Sequence, residues 1–517
     1  MKTKNIVGCT ALIVALGGFL MGFDASVISG VNKFIQIEFQ LTDIQLGFSV
    51  SSLTIIASLA MIISGPLSDK FGRRQILRYS ALIFLASAVG SALATNFASF
   101  LAFRMLGGIG VGSSLIIAPM YIAEIAPAGN RGRLVSFNQL NIVIGITAAF
   151  FSNYLILSLA HSEVEWVRYL GIKEYNWRWM LGIEAVPAII YFFGLFLVPK
   201  SPRWLVAQGQ EKLAIDIMKR FSSNQEAKRQ IREITISLQK KKEADKPPYL
   251  DIFKPAMRLV LAVGITVSVL QQITGINAVF FYAPMIFEQS GIGTNASFIQ
   301  ALLVGITNLI FTVIAMALID KLGRKPLLIF GVSGIVLFMG ILAYGFNSAS
   351  YKLDKESISK LPVEINTHLS TLDGLDYDND IDYKKALNAV LGSEKVKIHE
   401  GELIKAAINL NPILILVGIL GFVACFAMSL GPVMWVLFSE LFPSRIRGIA
   451  ISFVGFINSV ISALVQFVFP WELSNLGSSV TFLIYGILAL IGLILIIKIL
   501  PETKGESLED LEKKLIG

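Results

Sequence analysis

Twelve apolar stretches, each long enough to cross about 30 Å of hydrocarbon, leave this chain few ways to fold. They run at 7–30, 46–66, 76–95, 97–119, 134–157 and 178–198, then at 258–287, 297–319, 327–346, 411–438, 447–470 and 479–499. Inside a bilayer every backbone N–H and C=O must be satisfied within the protein, so only helices or a closed barrel can span it. The alternating polarity of barrel strands is absent, which leaves helices. Only 15% of the 517 residues are charged, against about a quarter in soluble domains, which excludes a soluble multidomain enzyme. The expected fold is an all-α membrane protein with twelve transmembrane helices in two six-helix parallel repeats. The first stretch contains Asp24, lacks a cleavage site and leads directly into further spans, so it reads as an uncleaved helix and not a secretory signal.

Lysine and arginine placement orients the helices. Lys70, Arg73, Arg74 and Arg78 follow the second stretch, and Arg131 and Arg133 follow the fourth. Between 199 and 258 stand fourteen basic residues against seven acidic ones. The alternate connections are poor in positive charge, so both termini and the central stretch are expected in the cytoplasm of a multi-pass cell-membrane protein. This placement accounts for the net charge of +8 without nucleic acid. The segment 347–410, with eight Lys and eleven acidic residues, is long enough to escape the charge rule and is placed outside. Its Asp376, Asp378, Asp380 and Asp382 lack the glycine and glutamate spacing of a calcium loop and read as solvated acids. No metal or cofactor is expected. The domains follow: an N-terminal bundle 1–198, a linker 199–257 with amphipathic helices, a C-terminal bundle 258–500 and a tail 501–517. The linker helices are drawn from Leu205, Leu213, Ile217, Ile231, Ile234 and Leu238, which recur among charges at near-helical spacing.

The chain repeats itself. Asp69-Lys-Phe-Gly-Arg73 is echoed by Asp320-Lys-Leu-Gly-Arg324, and Glu124 with Arg131 is echoed by Glu440 with Arg447. The second interval is longer than the first by about the length of the outer segment. Two parallel halves are the plan of carriers whose site lies between two rocking bundles. These paired motifs resemble the major facilitator superfamily. Pro199-Lys-Ser-Pro-Arg-Trp204, Gln271-Gln272-x-x-Gly275-x-Asn277 and Pro501-Glu-Thr-Lys-Gly505 resemble its sugar porter family over nearly the whole chain except 347–410. Lys200 departs from that family, which usually has Glu there, and puts the local ion pairing in question.

A charge at mid-bilayer is costly, and functional by default. Well inside the stretches lie Asp24, Arg104 and Glu184. An Asp–Arg pair can simply lock helices together; it can also hold a proton, because movement relative to the arginine would switch the carboxylate's proton affinity. The resemblance implies the second role: in the xylose–proton symporters of the family, residues matching Asp24, Arg104 and Glu184 carry and assist the proton. The facilitative glucose carriers have uncharged residues at the positions of Asp24 and Glu184.

Amide side chains donate and accept at once, which suits sugar hydroxyls, and an aromatic ring suits the C–H face. Gln139, Gln271, Gln272, Asn277, Asn308 and Asn458 are the candidates, with Trp435 as the ring. Isolated amides can also act as glue between helices. On an ideal helix Asn277 would stand about 140° round from Gln272, so a break at Gly275 is expected to let both reach one cavity. The resemblance implies that Gln139, Gln271, Gln272, Asn277, Trp435 and Asn458 line a sugar site. It also implies that Ile146 and Phe280 favour a glucose-like hexose over xylose.

The expected function is therefore a proton-coupled monosaccharide importer, a functional monomer without covalent chemistry. Its partners would be a sugar, a proton and the lipid bilayer. Asp69, Arg73, Glu124 and Arg131, with Asp320, Arg324, Glu440 and Arg447, would pair across helix ends when the carrier faces outward. The alternatives are a facilitative sugar uniporter and a membrane sugar receptor. The receptor is disfavoured because such receptors carry a long cytoplasmic tail and only residues 502–517 follow Pro501. Cysteines introduced at Lys241 and Asn379 should label with an impermeant maleimide from opposite membrane faces. Labelling of both from one side would overturn the orientation.

Overall fold

A computed structural model of the chain describes residues 2–126, 131–243, 249–443 and 446–504. Twelve of the described helices are long and apolar enough to cross a membrane. Spans 1 to 6 are Val7–Glu38, Asp43–Phe71, Arg73–Ala92, Phe97–Ile125, Phe137–Ala160 and Asn176–Leu197. Spans 7 to 12 are Pro255–Glu288, Thr294–Ile319, Arg324–Asn347, Pro412–Leu441, Arg447–Asn475 and Gly477–Ile499. Each corresponds to a stretch read from hydropathy, so the protein is a multi-pass membrane protein. Several helices run past their apolar part, span 1 as far as Glu38. Hydropathy ends a span where charges begin, but a helix can continue where those charges find partners.

Three spans are interrupted. Span 6 is Asn176–Gly182 followed by Ala185–Leu197, with Ile183 and Glu184 between. Span 7 is Arg258–Ile273 followed by Ile276–Glu288. At its break Gly275 takes φ 85°, and a Cβ there would stand 2.7 Å from the Tyr485 ring, so glycine is required on both counts. Pro284 removes a backbone donor further along, and Tyr282 leaves helical geometry at φ −125°, ψ 16°. Span 10 breaks at Ser429, whose hydroxyl donates to the Cys425 carbonyl at 2.7 Å.

The chain divides into two compact units. The first comprises Met1–Val27, Ser52–Ala149 and Arg178–Pro248. Within it, glycines bring backbones together: a Cβ on Gly22 would overlap the Ile142 carbonyl, and one on Gly145 would overlap that of Phe19. Spans 1 and 5 thus meet at reciprocal glycines, as spans 2 and 4 meet where Gly108 and Gly112 face Leu53 and Ala57. Three helices follow span 6 in this unit: Pro202–Ala207, Glu211–Met218 and Asn224–Glu243. Leu205, Ile217 and Ile231 are buried in the unit's core, and Ile234 and Leu238 pack against it. Leu213 is instead 43% exposed, because the short helix turns Ala214, Ile217 and Met218 inward.

The second unit comprises Ile28–Ser51, Phe150–Trp177 and Tyr249–Gly517. Here the segment read as a solvated loop has a hydrophobic core of its own, with Tyr351, Leu353, Ile365, Leu369, Tyr383 and Leu403 buried. A three-stranded antiparallel sheet closes it: β1 (Ser350–Lys352) lies between β2 (Asp376–Tyr377) and β3 (Ile408–Asn409). Pairing of Ser350 with Asn409 sets the entry and exit of the segment side by side. Among its acids, Asp376 pairs with Lys352, Asp382 accepts from Asn379, the residue that caps helix Asp380–Leu391, and Asp380 accepts from the Ser478 N–H. Burial opposes charge on Lys384, but Glu400 and Asp380 outweigh it and hold the ammonium above its ordinary pKa. Burial likewise opposes charge on Glu400, and Lys384 with Gln289 holds that carboxyl below its ordinary range.

Gly22→Ala should lower the thermal unfolding midpoint in detergent, since overpacking of this kind costs about 1–3 kcal/mol. Gly340→Ala, where no atom lies within 4 Å of the new Cβ, should leave the midpoint unchanged. Equal midpoints for the two variants would refute the close approach of spans 1 and 5.

Candidate functional site

In the first unit, span 4 carries Arg104 directly onto Asp24 of span 1, the guanidinium Nη1 donating to Asp24 Oδ1. Both are buried, and Glu184 is buried with them. Gly107 makes the approach possible, since a Cβ there would stand 2.9 Å from Asp24 Oδ2 and 2.5 Å from the Ser87 hydroxyl. The break in span 6 brings Glu184 into position within electrostatic reach of both Asp24 and Arg104. Two carboxylates thus face one guanidinium. Glu184 Oε1 and Asp24 Oδ2 are buried with no hydrogen-bond partner among the described residues.

The second unit holds five of the six candidate amides, Gln139 being in the first. The break at Gly275 lets Asn277 Nδ2 donate to Gln272 Oε1 at 2.7 Å, a contact that an unbroken helix would forbid. Gln272 Nε2 donates to Asn458 Oδ1 at 3.1 Å and to Gln271 Oε1 at 3.2 Å. Asn458 Nδ2 donates back to Gln271 Oε1 at 2.8 Å, and Gln271 Nε2 donates to the Leu430 carbonyl beside the span 10 break at 3.0 Å. Four of the amides named from the sequence therefore form one network.

Ser462 and Gln466 extend it. Asn277 Nδ2 donates to the Ser462 hydroxyl at 2.6 Å, and Gln466 Nε2 donates to the same oxygen at 2.8 Å. They lie four and eight residues after Asn458, on one face of span 11, which was the signal available in the sequence. The remaining candidates are not hydrogen-bonded into this network among the described residues. Asn308 is buried in span 8, and among the described residues no hydrogen bond joins it to the network. Trp435 is 44% exposed, its ring edge-on to Phe438 at 6.0 Å. Phe280 is buried just beyond the span 7 break. Gln139 and Ile146 are half-buried in span 5, in the first unit.

The repeated charged motifs fold alike. Arg73 pairs with Asp69 at 2.8 Å and Glu124 at 3.0 Å, and the Ser201 hydroxyl donates to the same glutamate. In the second half Arg324 pairs with Glu440 at 2.8 Å, and the Thr503 hydroxyl donates to it at 2.6 Å. Each of these pairs lies within its own unit. Arg447 donates from Nε to the Phe442 carbonyl at 3.0 Å. The side chains of Arg131 and Asp320 lie outside the described residues. One difference separates the halves. Glu502 accepts the backbone N–H groups of Arg324 and Lys325 at the start of span 9, whereas Lys200 places its ammonium 5.6 Å from the centre of the Trp204 ring.

A further pair went unread in the sequence because it stands at the apolar margins. Lys33 binds Glu288 at 2.9 Å and donates to the Thr294 hydroxyl at 3.0 Å, beside a hydrogen bond from Asn32 to the Phe281 carbonyl at 2.8 Å.

The family model for sugar (and other) transporters matches residues 10–362 and 398–515. The chain belongs to the sugar transporter family. Its members are transporters and not enzymes. Similar members include the arabinose-proton symporter of Bacillus subtilis, 33% identical over 98% of this chain and 94% of the relative. The D-xylose-proton symporter of Escherichia coli is 32% identical over 97% and 94%. The glucose transporter GlcP of Staphylococcus epidermidis is 32% identical over 98% and 96%. Among solved structures, the inward open xylose transporter XylE from E. coli superposes with a TM-score of 0.74 at 31% identity, covering 98% of each chain. Residues 363–397, inside the folded segment after span 9, fall outside the sugar transporter family match.

Proposed function

We propose that this chain imports a monosaccharide, a glucose-like hexose, together with a proton by alternating access. The observation that carries the reading is the buried Asp24–Arg104 contact with Glu184 beside it. A carboxylate held by a guanidinium gives up that partner at much lower cost once protonated, so proton binding can be tied to movement of span 1 against span 4. The sugar site is assigned to the amides of spans 7 and 11, with Gln139 and Asn308. Gln271, Gln272, Asn277 and Asn458 are hydrogen-bonded to one another, so a hydroxyl-rich ligand can exchange for those bonds without leaving buried polar groups unpaired. The exposed ring of Trp435 offers an apolar face, and Ile146 and Phe280 favour the hexose.

Supporting relatives are named as proton symporters for arabinose and xylose, and another as a glucose transporter. We place both termini and the 199–257 linker in the cytoplasm of a cell-membrane monomer, with 347–410 outside. The six-helix bundles 1–198 and 258–500 are the rocking bodies. The clusters of Asp69, Arg73, Glu124 and Arg131, and of Asp320, Arg324, Glu440 and Arg447, form the cytoplasmic gate. In the present structure Arg73 with Asp69 and Glu124, and Arg324 with Glu440, pair across helix ends within each unit.

Gln272→Ala or Asn277→Ala should cost about 1–3 kcal/mol of sugar affinity. The apparent KM then rises, more than tenfold if the loss exceeds about 1.4 kcal/mol. An unchanged KM and rate in both variants would make the network structural.

Asp24→Asn keeps the shape of the neutral acid and removes its titration. In proteoliposomes the variant should bind sugar and exchange it between two loaded faces, yet fail to accumulate it under an inward proton gradient. Glu184→Gln should weaken coupling less, because the arginine binds Asp24 directly. Wild-type uptake that never exceeds equilibration under that gradient would replace the symporter with a uniporter.

A further inference from the structure

The folded segment after span 9 lies against the ends of spans that alternating access must separate. Its helix Ser393–Ala407 places Gly401 directly over the Lys33–Glu288 pair: a Cβ there would stand 3.3 Å from Glu288 Oε2 and 3.4 Å from Lys33 Nζ. On one side its attachments are many. Lys384 pairs with Glu400 at 2.8 Å, and Gln289, just past span 7, donates to Glu400 at 3.1 Å and accepts from Lys384 at 2.9 Å. Asp380 accepts the Ser478 N–H at the start of span 12 at 3.1 Å. Beyond span 7, Gly291 at φ 82° packs so closely on Ile408 that a Cβ would overlap its side chain. The chain itself continues into spans 9 and 10.

Towards spans 1 and 2 the segment reaches the connection between them through a side chain. Lys397 reaches across and donates from Nζ to the carbonyl of Leu41, in the connection between those spans, at 3.0 Å. Leu41 is itself buried, so its carbonyl is presented by a fixed backbone.

We infer that this segment is a latch for the outer gate, fixed to spans 7, 9, 10 and 12, with Lys397 as the positioning residue that catches the span 1–2 connection. The inference rests on the carrier reading, which requires the ends of spans 1 and 7 to part. Opening to the outside then breaks the Lys397–Leu41 hydrogen bond and the Lys33–Glu288 pair beneath Gly401, while the segment stays with the later spans. Lys397 touches neither sugar nor proton. It sets how long the outer gate stays shut.

The test is a distance measurement that needs neither substrate nor gradient. Spin labels on Ile44→Cys and Asn295→Cys, both exposed positions at the starts of spans 2 and 8, report the separation of these ends, with Cys9 and Cys425 replaced by Ser. In nanodiscs, Lys397→Ala should raise the ratio of long to short distances about tenfold, the effect of losing one charge-assisted hydrogen bond. Lys397→Arg should restore the short distance, and Lys395→Ala, an exposed neighbour on the same helix, should leave it unchanged. A distribution in Lys397→Ala identical to the wild type would overturn the latch, as would an equal shift in Lys395→Ala. Sugar counterflow by the unlabelled wild type in proteoliposomes tests the carrier reading separately. Its absence would remove that reading whatever the distances show.

Discussion

A helix can be interrupted inside hydrocarbon only where other polar groups take up what the interruption frees, and the chemistry of this chain gathers at its interruptions. The break in span 6 carries Glu184 beside the Asp24–Arg104 pair. The break in span 7 sits between Gln272 and Asn277 and makes their hydrogen bond possible. The break in span 10 presents the Leu430 carbonyl to Gln271. Without these breaks the same polar side chains would be spread around intact cylinders, some turned towards lipid. Gly275, with the Tyr485 ring against its α-carbon, shows how little freedom the arrangement leaves.

The two halves reproduce one charged motif with small differences. Each uses an arginine clamped by a glutamate from the next span, and each steadies that glutamate with a hydroxyl, Ser201 in one case and Thr503 in the other. The second half adds a carboxylate, Glu502, at the positive end of span 9, where it accepts the backbone N–H groups of Arg324 and Lys325. Lys200 could not play that part opposite span 3, and it turns instead to the face of Trp204.

Much of this was legible in the sequence because membranes simplify the rules. Twelve apolar runs can only be helices, and a charge such as Asp24 or Arg104 within them is conspicuous. The break near Gly275 was expected because helical geometry puts Gln272 and Asn277 too far apart round an unbroken helix to line one cavity. Other features were hidden for equally physical reasons. Ser462 and Gln466 are common residues, and only their register with Asn458 marks them. Lys33 and Glu288 lie where hydropathy fades, so their union across 255 residues leaves no local trace. The segment after span 9 looked solvated because its apolar residues are distributed among many charges over several helices and short strands. Its core forms only when Tyr351, Tyr383 and Leu403 come together from distant positions.

The side-by-side pairing of Ser350 with Asn409 has a bearing on how such a segment could enter a carrier at all. A chain that leaves a membrane helix and returns through an adjacent antiparallel strand asks nothing new of the distance between the two helix ends. The strands hold the two ends together, and the entropy of closing the chain between them rises only slowly with its length, by about 0.6 kcal/mol for each doubling. An excursion of this kind behaves as a cassette. It can be lengthened, replaced or moved into a relative with a short turn at the same place while the packing of the spans below stays as it was.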